Sequence, residues 1–363
     1  RYFINKMLKI DKEEMSKKLK DRVEFSKFKD QGFTGLANLG NTCFINSTLA
    51  CLSHTYELNI FLGKGNYKSR LNDKPESLIL CEWDNLRKMI WSENCTISPG
   101  GFVGAVQKVA RLKDRAIFTG WAQNDLPEFL QFITECFHDS ISREVEMNIQ
   151  GEALTNTDKL AKTCFNMMKN MYKKEYSEFL NMFFGIHVSQ IKSLESDYLS
   201  ITPEPFFNLC VPIDEKNETL EKCIDLYTIS EKLEGDNSVY NDKLNKKEVA
   251  EKTIRFWSLP EILIITLKRF GNNGRKNQKM IDFPLENLDL KKYVVGYDKN
   301  SYIYDLYGIC NHQGGTAGGH YTAFVKNANS KWYHFNDTNC NEINLDGLKT
   351  PKAYCFFYRK QKK

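Results

Sequence analysis

The sequence predicts an α+β domain, and three observations carry that reading. Helical periodicity dominates residues 36–142, strand-like runs begin at Gly185, and residues 260–270 hold an apolar run typical of a buried central strand. Helices first and strands later indicate that architecture. At 363 residues the chain makes one large domain with subdomains, or two ordinary ones.

Composition narrows the class. A hydrophobic share of 41% with 13% aromatics supports a substantial core, unlike a disordered chain. The net charge of +5 is neutral on nucleic acid; no basic stripe with interleaved aromatics stands out, and no such partner is expected. No apolar run is long enough to span a bilayer, and no signal peptide is found, so no membrane partner is expected. Eleven cysteines lie scattered without a Cys-x-x-Cys pair, which points to the reducing cytosol or nucleus and away from a cysteine zinc cluster. A monomer without metal or cofactor is the expectation.

Residues 1–32 read as a helical extension, in which Met7, Leu8, Ile10, Met15 and Leu19 suit one or two amphipathic helices. The main domain is expected over residues 33–363. Its organising stretch is 35–47, a glycine-punctuated loop ending in a cysteine that opens a helix. After Cys43, residues Phe44, Ile45, Leu49 and Leu52 recur at helical spacing, and Asn41 and Thr42 are N-cap candidates. A free cysteine is most often a small buried hydrophobe. In a first helical turn, however, the thiol feels the positive end of the backbone dipole, which favours the thiolate. Gly35 and Gly40 let the loop fold tightly, aiming its amides and that of Asn38 at one spot.

Further on, residues 78–90 are amphipathic, and Gly100-Gly101 precedes another helical stretch. Residues 121–130 lead a helix with Leu126, Phe129, Leu130, Ile133, Phe137 and Ile141 on one face. Asp125 and Glu128 fit a capping box, and equally suit binding of a cationic substrate at a helix N-terminus. Residues 151–184 read as a polar linker and a helix. Strands are expected at 186–191 and 206–213, and the charged stretch 214–252 as an exposed lobe or flexible insertion.

The last third reads as strands. Residues 304–310 make one, 313–319 a loop with four glycines, and 320–326 with 331–337 a hairpin. A three-residue turn pairing Lys326 with Ser330 sets His320 opposite Asn336; a four-residue turn pairing Lys326 with Lys331 sets Asp337 there. Either side chain would hold the imidazole ring and tautomer. The order Cys43, His320, then Asn336 or Asp337 matches the thiol, base and orienting residue of papain-like cysteine proteases.

These residues together resemble the ubiquitin-specific proteases, a papain-like group of deubiquitinating enzymes. Residues 35–47 are similar to the family's Cys box, and 123–130 to its acidic box, with Asn124 where Gln is usual. Residues 267–270, 318–322, 332–337 and 353–358 are similar to its later boxes, in order, so the resemblance covers about 33–359. It implies a hand-like fold: a helical thumb at about 33–185, β fingers within about 186–262, and an antiparallel β palm from about 200–213 and 260–363. It implies Cys43 as nucleophile, His320 as base, Asn336 as third member with Asp337 supporting, and Asn38 as oxyanion donor. Asp125 and Glu128 would hold the tail of ubiquitin, with Gly318, Gly319 and Tyr321 also contacting it. The expected activity is hydrolysis after the C-terminal Gly-Gly of ubiquitin, with ubiquitin and its conjugates as partners. Two rivals are a protease for another ubiquitin-like modifier and an inactive ubiquitin-binding scaffold. One departure stands out: many members bind zinc in the fingers through two Cys-x-x-Cys pairs. Here the first would fall on Ser193 and Ser196, and no second lies between Asn241 and Thr253. No zinc and short fingers are therefore expected.

Overall fold

In the computed structural model, which describes residues 25–216, 218–271, 274–315 and 318–362, helices come first. They are α1 (Cys43–Ser53), α2 (Tyr56–Gly63), α3 (Ser77–Ile90), α4 (Gly100–Leu112), α5 (Leu126–Ser140), α6 (Asn156–Lys174) and α7 (Glu178–Phe183). Among them β1 (Gly35–Leu36) and β2 (Thr96–Ile97) pair in parallel. Then come β3 (Gly185–Ser193), β4 (Leu199–Phe206), β5 (Asn208–Val211), α8 (Leu220–Tyr227), β6 (Glu231–Leu233), β7 (Val239–Asn241) and β8 (Lys246–Glu248). The chain continues through β9 (Ala250–Ser258), β10 (Ile262–Leu267), β11 (Leu288–Asp289), β12 (Ile303–Gly315), β13 (Gly318–Lys326), β14 (Trp332–Asn336), β15 (Asn339–Ile343) and β16 (Ala353–Lys360). The fold is α+β.

The large sheet runs β15-β14-β13-β12-β16-β10-β5, with β11 beside β12. It is antiparallel except that β5 runs parallel to β10, which corrects the all-antiparallel expectation. The apolar run at 260–270 yields β10, buried on both faces, but one strand in from the edge rather than central. Alternation divides its side chains: Ile262 and Ile264 join the core under the helices, while Leu263 and Ile265 join the core on the opposite face. Every residue of α1 is buried, because the helix is sandwiched between that sheet and α5, where Phe44 meets Phe129 edge-on at 5.2 Å. Polar ties pin its C-terminal end. Thr55 Oγ1 and the Tyr307 hydroxyl are 2.7 Å apart, and Arg359 donates to the His54 carbonyl and to Glu57.

Three expectations need correction. The charged stretch 214–252 is structured: Thr219 caps α8 by accepting from the Lys222 amide, and Leu220, Cys223 and Ile224 are buried. Strand β4 is not among the expected strands; it carries Pro203 and Pro205, which an edge position tolerates, and among the described residues β4 pairs with β3 alone. The second sheet, β4-β3-β9-β6, is not short, since β3 and β9 span nine residues each.

At its tip, near the β7–β8 hairpin, Ser196 Oγ donates to Glu248 Oε2 at 2.7 Å and Asn241 Nδ2 to the same oxygen at 3.1 Å. Ser193 Oγ accepts from the amides of Glu195 and Ser196. This oxygen-rich set, spent on its own hydrogen bonds, does not fit the thiolate zinc site that the resemblance suggests for the fingers. Of the N-terminal extension, only residues from 25 onward are described; Phe28 stacks on Tyr56 at 4.6 Å, and the helices expected around Met7 to Leu19 lie outside the described residues.

Candidate active site

Cys43 is the first residue of α1, as its spacing predicts, with Thr42 at the N-cap. The Thr42 hydroxyl does not cap the helix. It accepts from the Leu39 amide at 2.9 Å and donates to Asn38 Oδ1 at 3.3 Å. Asn38 Oδ1 also accepts from the amides of Gly40 at 3.0 Å and Thr42 at 3.1 Å. The loop therefore winds around the Asn38 side chain. Gly40 and Asn41 make this possible by taking positive φ, of 110° and 54°. Gly35 serves a close approach instead: a Cβ there would lie 2.1 Å from the Thr338 carbonyl oxygen.

Cys43 is 3% exposed. Burial pushes it up, the Tyr321 amide opposes this, and the Asp337 carboxylate pushes it further up. The net direction is upward, so loss of water outweighs the helix-terminus effect that the sequence suggests. The Tyr321 contact also brings β13 against the sulfur, and His320 is the preceding residue of that strand.

His320 Nε2 and Asn336 Oδ1 are 2.7 Å apart. Both expected turns are wrong, however. The ladder pairs Lys326 with Trp332, leaving five residues in the connection, and stops at Ala323 opposite Phe335. Extended, that register sets Thr338 opposite His320. Asn336, two residues short of it, shares the imidazole's face, and Asp337 takes the other. Asp337, at φ 49°, leaves the strand and turns to the Cys43 loop. Its Oδ2 accepts from Asn38 Nδ2 at 3.0 Å, its Oδ1 from Asn46 Nδ2 at 2.8 Å, and its carbonyl from the Leu36 amide at 2.8 Å.

Across the groove, Asp125 is the N-cap of α5 without a side-chain cap bond, so the expected capping box with Glu128 does not form. Asp125 Oδ1 instead accepts from the hydroxyls of Tyr354 at 2.9 Å and Tyr321 at 3.4 Å. Partial loss of water raises its carboxyl; Tyr354 pulls it back, and the charge of Glu128 adds to the rise. A cleft of about 320 Å³ opens here, walled by Asp125, Phe270, His312, Gly318 and Tyr321. Gly318 lines this cleft, and its neighbour Gly319 has a steric reason of its own. A Cβ on it would sit 2.3 Å from His312 Nε2 and 2.4 Å from the Gln313 carbonyl oxygen.

Three residues of the site carry no expectation from the sequence: Asn46, Tyr354 and Gln123. Asn46 offers only a weak signal, being an amide one helical turn after the cysteine in a helix that also buries Ser47, Thr48 and Ser53. Gln123 lies in the box beside Asp125, and bonds to both backbone groups of Gly319.

The family model described as ubiquitin carboxyl-terminal hydrolase matches residues 34–358. The chain belongs to the ubiquitin carboxyl-terminal hydrolase family. It is 30% identical over 344 residues to ubiquitin carboxyl-terminal hydrolase 2 of Bos taurus, covering 90% of this chain and 55% of that relative. To Usp2 of Drosophila melanogaster it is 33% identical over 340 residues, covering 92% of this chain and 35% of the relative. The chain thus spans about half or less of the length of these curated hydrolases. Among solved structures, the SAGA Ubp8/Sgf11/Sus1/Sgf73 DUB module bound to ubiquitin aldehyde contains a chain similar to this one, with a TM-score of 0.71 and 25% identity. That match covers 92% of this chain and 71% of the other.

Proposed function

We propose that this hydrolase-family chain is a thiol isopeptidase that cuts after the C-terminal Gly-Gly of ubiquitin. The observation that carries the reading is that Cys43 opens a helix packed against β13, the strand whose His320 lies 2.7 Å from Asn336. Cys43 attacks the carbonyl of the last glycine as His320 takes its proton. Asn38 has one N–H on Asp337, and the other is available to the oxyanion alongside the Cys43 amide; such donors contribute about 3–4 kcal/mol each. Protonated His320 then delivers its proton to the departing lysine amine, and water hydrolyses the acyl-enzyme.

Specificity follows from the approach. Gly318 and Gly319 leave a narrow path that suits a tail without side chains, while Asp125 and Glu128 offer negative charge to the arginines preceding it. On this reading the helical part is the thumb, the large sheet the palm and the four-stranded sheet the fingers that grip globular ubiquitin. The enzyme works as a monomer in the cytosol or nucleus; among the described residues no helix is long and apolar enough to cross a membrane.

Turnover of a ubiquitin-amide conjugate by the wild-type chain, abolished in Cys43→Ala, is the expected result. Turnover of another modifier's conjugate alone would replace ubiquitin as substrate. Tight ubiquitin binding without any turnover would leave a scaffold.

A further inference from the structure

Strand β13 carries an exposed edge at the place where substrate must enter. Its neighbour β14 pairs with it only as far as Ala323, so among the described residues no strand lies on that side of the stretch from Gly318 to Tyr321. Residues two apart present their amides and carbonyls to the same edge. Gly319 and Tyr321 therefore face the groove together, and the Tyr321 backbone lies near enough to the Cys43 thiol to pull its pKa down against the effect of burial. A peptide laid along this edge and paired at Gly319 would reach the sulfur one strand repeat further on, about 6.6 Å away.

That edge is occupied by a side chain. Gln123 Oε1 accepts from the Gly319 amide at 2.8 Å, and Gln123 Nε2 donates to the Gly319 carbonyl at 2.9 Å. Nε2 lies 3.5 Å from Asn41 Oδ1 as well, beside the Cys43 loop. A carboxamide presents the donor and acceptor of one peptide group. The two-point exchange with Gly319 is the pattern an antiparallel strand residue makes with its partner.

We propose that Gln123 is a stand-in for the last peptide of the substrate tail: it latches the β13 edge in the free enzyme and surrenders Gly319 to the tail on binding. The identity of that tail rests on the function proposed above; the latch itself does not. While closed, the latch withholds the edge, and apparent affinity falls by the closed fraction. Exchange of one amide pair for another makes the displacement nearly balanced, so a chain that cannot pair as a strand does not open the groove.

Two measurements on the full chain decide this. In Gln123→Ala and in Gln123→Asn, whose side chain is one methylene too short, the Gly319 amide of the free enzyme exchanges with solvent faster than in wild type. Gln123→Glu, which keeps the acceptor and loses the donor, is intermediate. With ubiquitin-amide conjugates, KM in Ala and Asn variants falls about two- to tenfold with kcat little changed, as expected from loss of two solvent-accessible hydrogen bonds. Unchanged exchange at Gly319 overturns the latch. Faster exchange with a raised KM overturns the competition, because Gln123 would then be a contact that the tail needs. If wild type turns over no ubiquitin conjugate, the functional proposal fails while the exchange result still decides the latch.

Discussion

Asn38 Nδ2 donates to Asp337 Oδ2 at 3.0 Å, tying the loop before Cys43 to the strand end that follows Asn336. The other carboxylate oxygen holds Asn46, inside the helix that Cys43 opens. One acidic side chain thus sets Asn38, the proposed oxyanion donor, and the helix opened by Cys43, the proposed nucleophile, in a common frame. It also explains why Asp337 lies on the opposite face from Asn336: adjacent strand residues diverge, so one serves the imidazole and the other the loop.

Removing the donor and removing its anchor should therefore have related effects. Asn38→Ala is expected to lower kcat by about 10²–10³ with KM little altered, the loss typical of one oxyanion donor. Asp337→Ala should lower kcat in the same direction and also lower the melting temperature, since the Asn46 amide loses its carboxylate partner. Steady-state kinetics with thermal unfolding checks both. An Asp337→Ala enzyme of wild-type kcat contradicts the frame.

Asn336 is proposed to orient the imidazole, through its 2.7 Å contact with His320 Nε2. Asn336→Ala frees the His320 ring and should lower kcat by a part of the ~10²–10⁴ that a positioned base contributes. Asn336→Asp, which still accepts from the ring N–H, should retain most activity. Equal loss in both variants contradicts an orienting role.

The Cys43 thiol predicts a pH dependence. Burial and Asp337 raise it above the ordinary cysteine value, so the neutral form dominates near pH 7 in the free enzyme. Alkylation of Cys43 by iodoacetamide should be slow at pH 7 and accelerate as pH climbs past the ordinary cysteine range. Asp337→Asn removes one cause of the rise and should move that curve to lower pH. A fast plateau already present at pH 6 would show a resting thiolate.

Gly319→Ala tests packing rather than chemistry. The added methyl meets the His312 ring and the Gln313 carbonyl, neither of which is the loose end of a flexible side chain. A loss of about 1–3 kcal/mol of stability, the usual cost of overpacking, is expected in denaturant unfolding. Wild-type stability would mean that the hairpin yields freely.

Much of this was legible in the chain, and each failure has a physical cause. The cysteine, histidine and asparagine could be read because local pattern marks each: a helix start, a glycine-flanked strand and the next strand of a hairpin. The turn was misjudged because Ser330 takes a left-handed φ of 69° and the Asn327 amide donates to the Lys331 carbonyl, a closure that shifts the pairing one residue beyond the four-residue turn expected. The capping box at Asp125 was a sound local signal, overridden by two tyrosine hydroxyls from distant strands. Gln123 was visible as a letter in a box, yet its role depends on an open strand edge that only tertiary structure reveals. Strand β4 lacks a clear strand pattern, since Pro203 and Pro205 interrupt it, and only its edge position accommodates them.

The most direct test is covalent. Incubated with ubiquitin carrying a C-terminal electrophile, the chain should gain the mass of one ubiquitin, and tryptic mass spectrometry should place the linkage on Cys43, with no adduct in Cys43→Ala. An adduct on another cysteine, or none with a folded wild-type chain, would contradict the account.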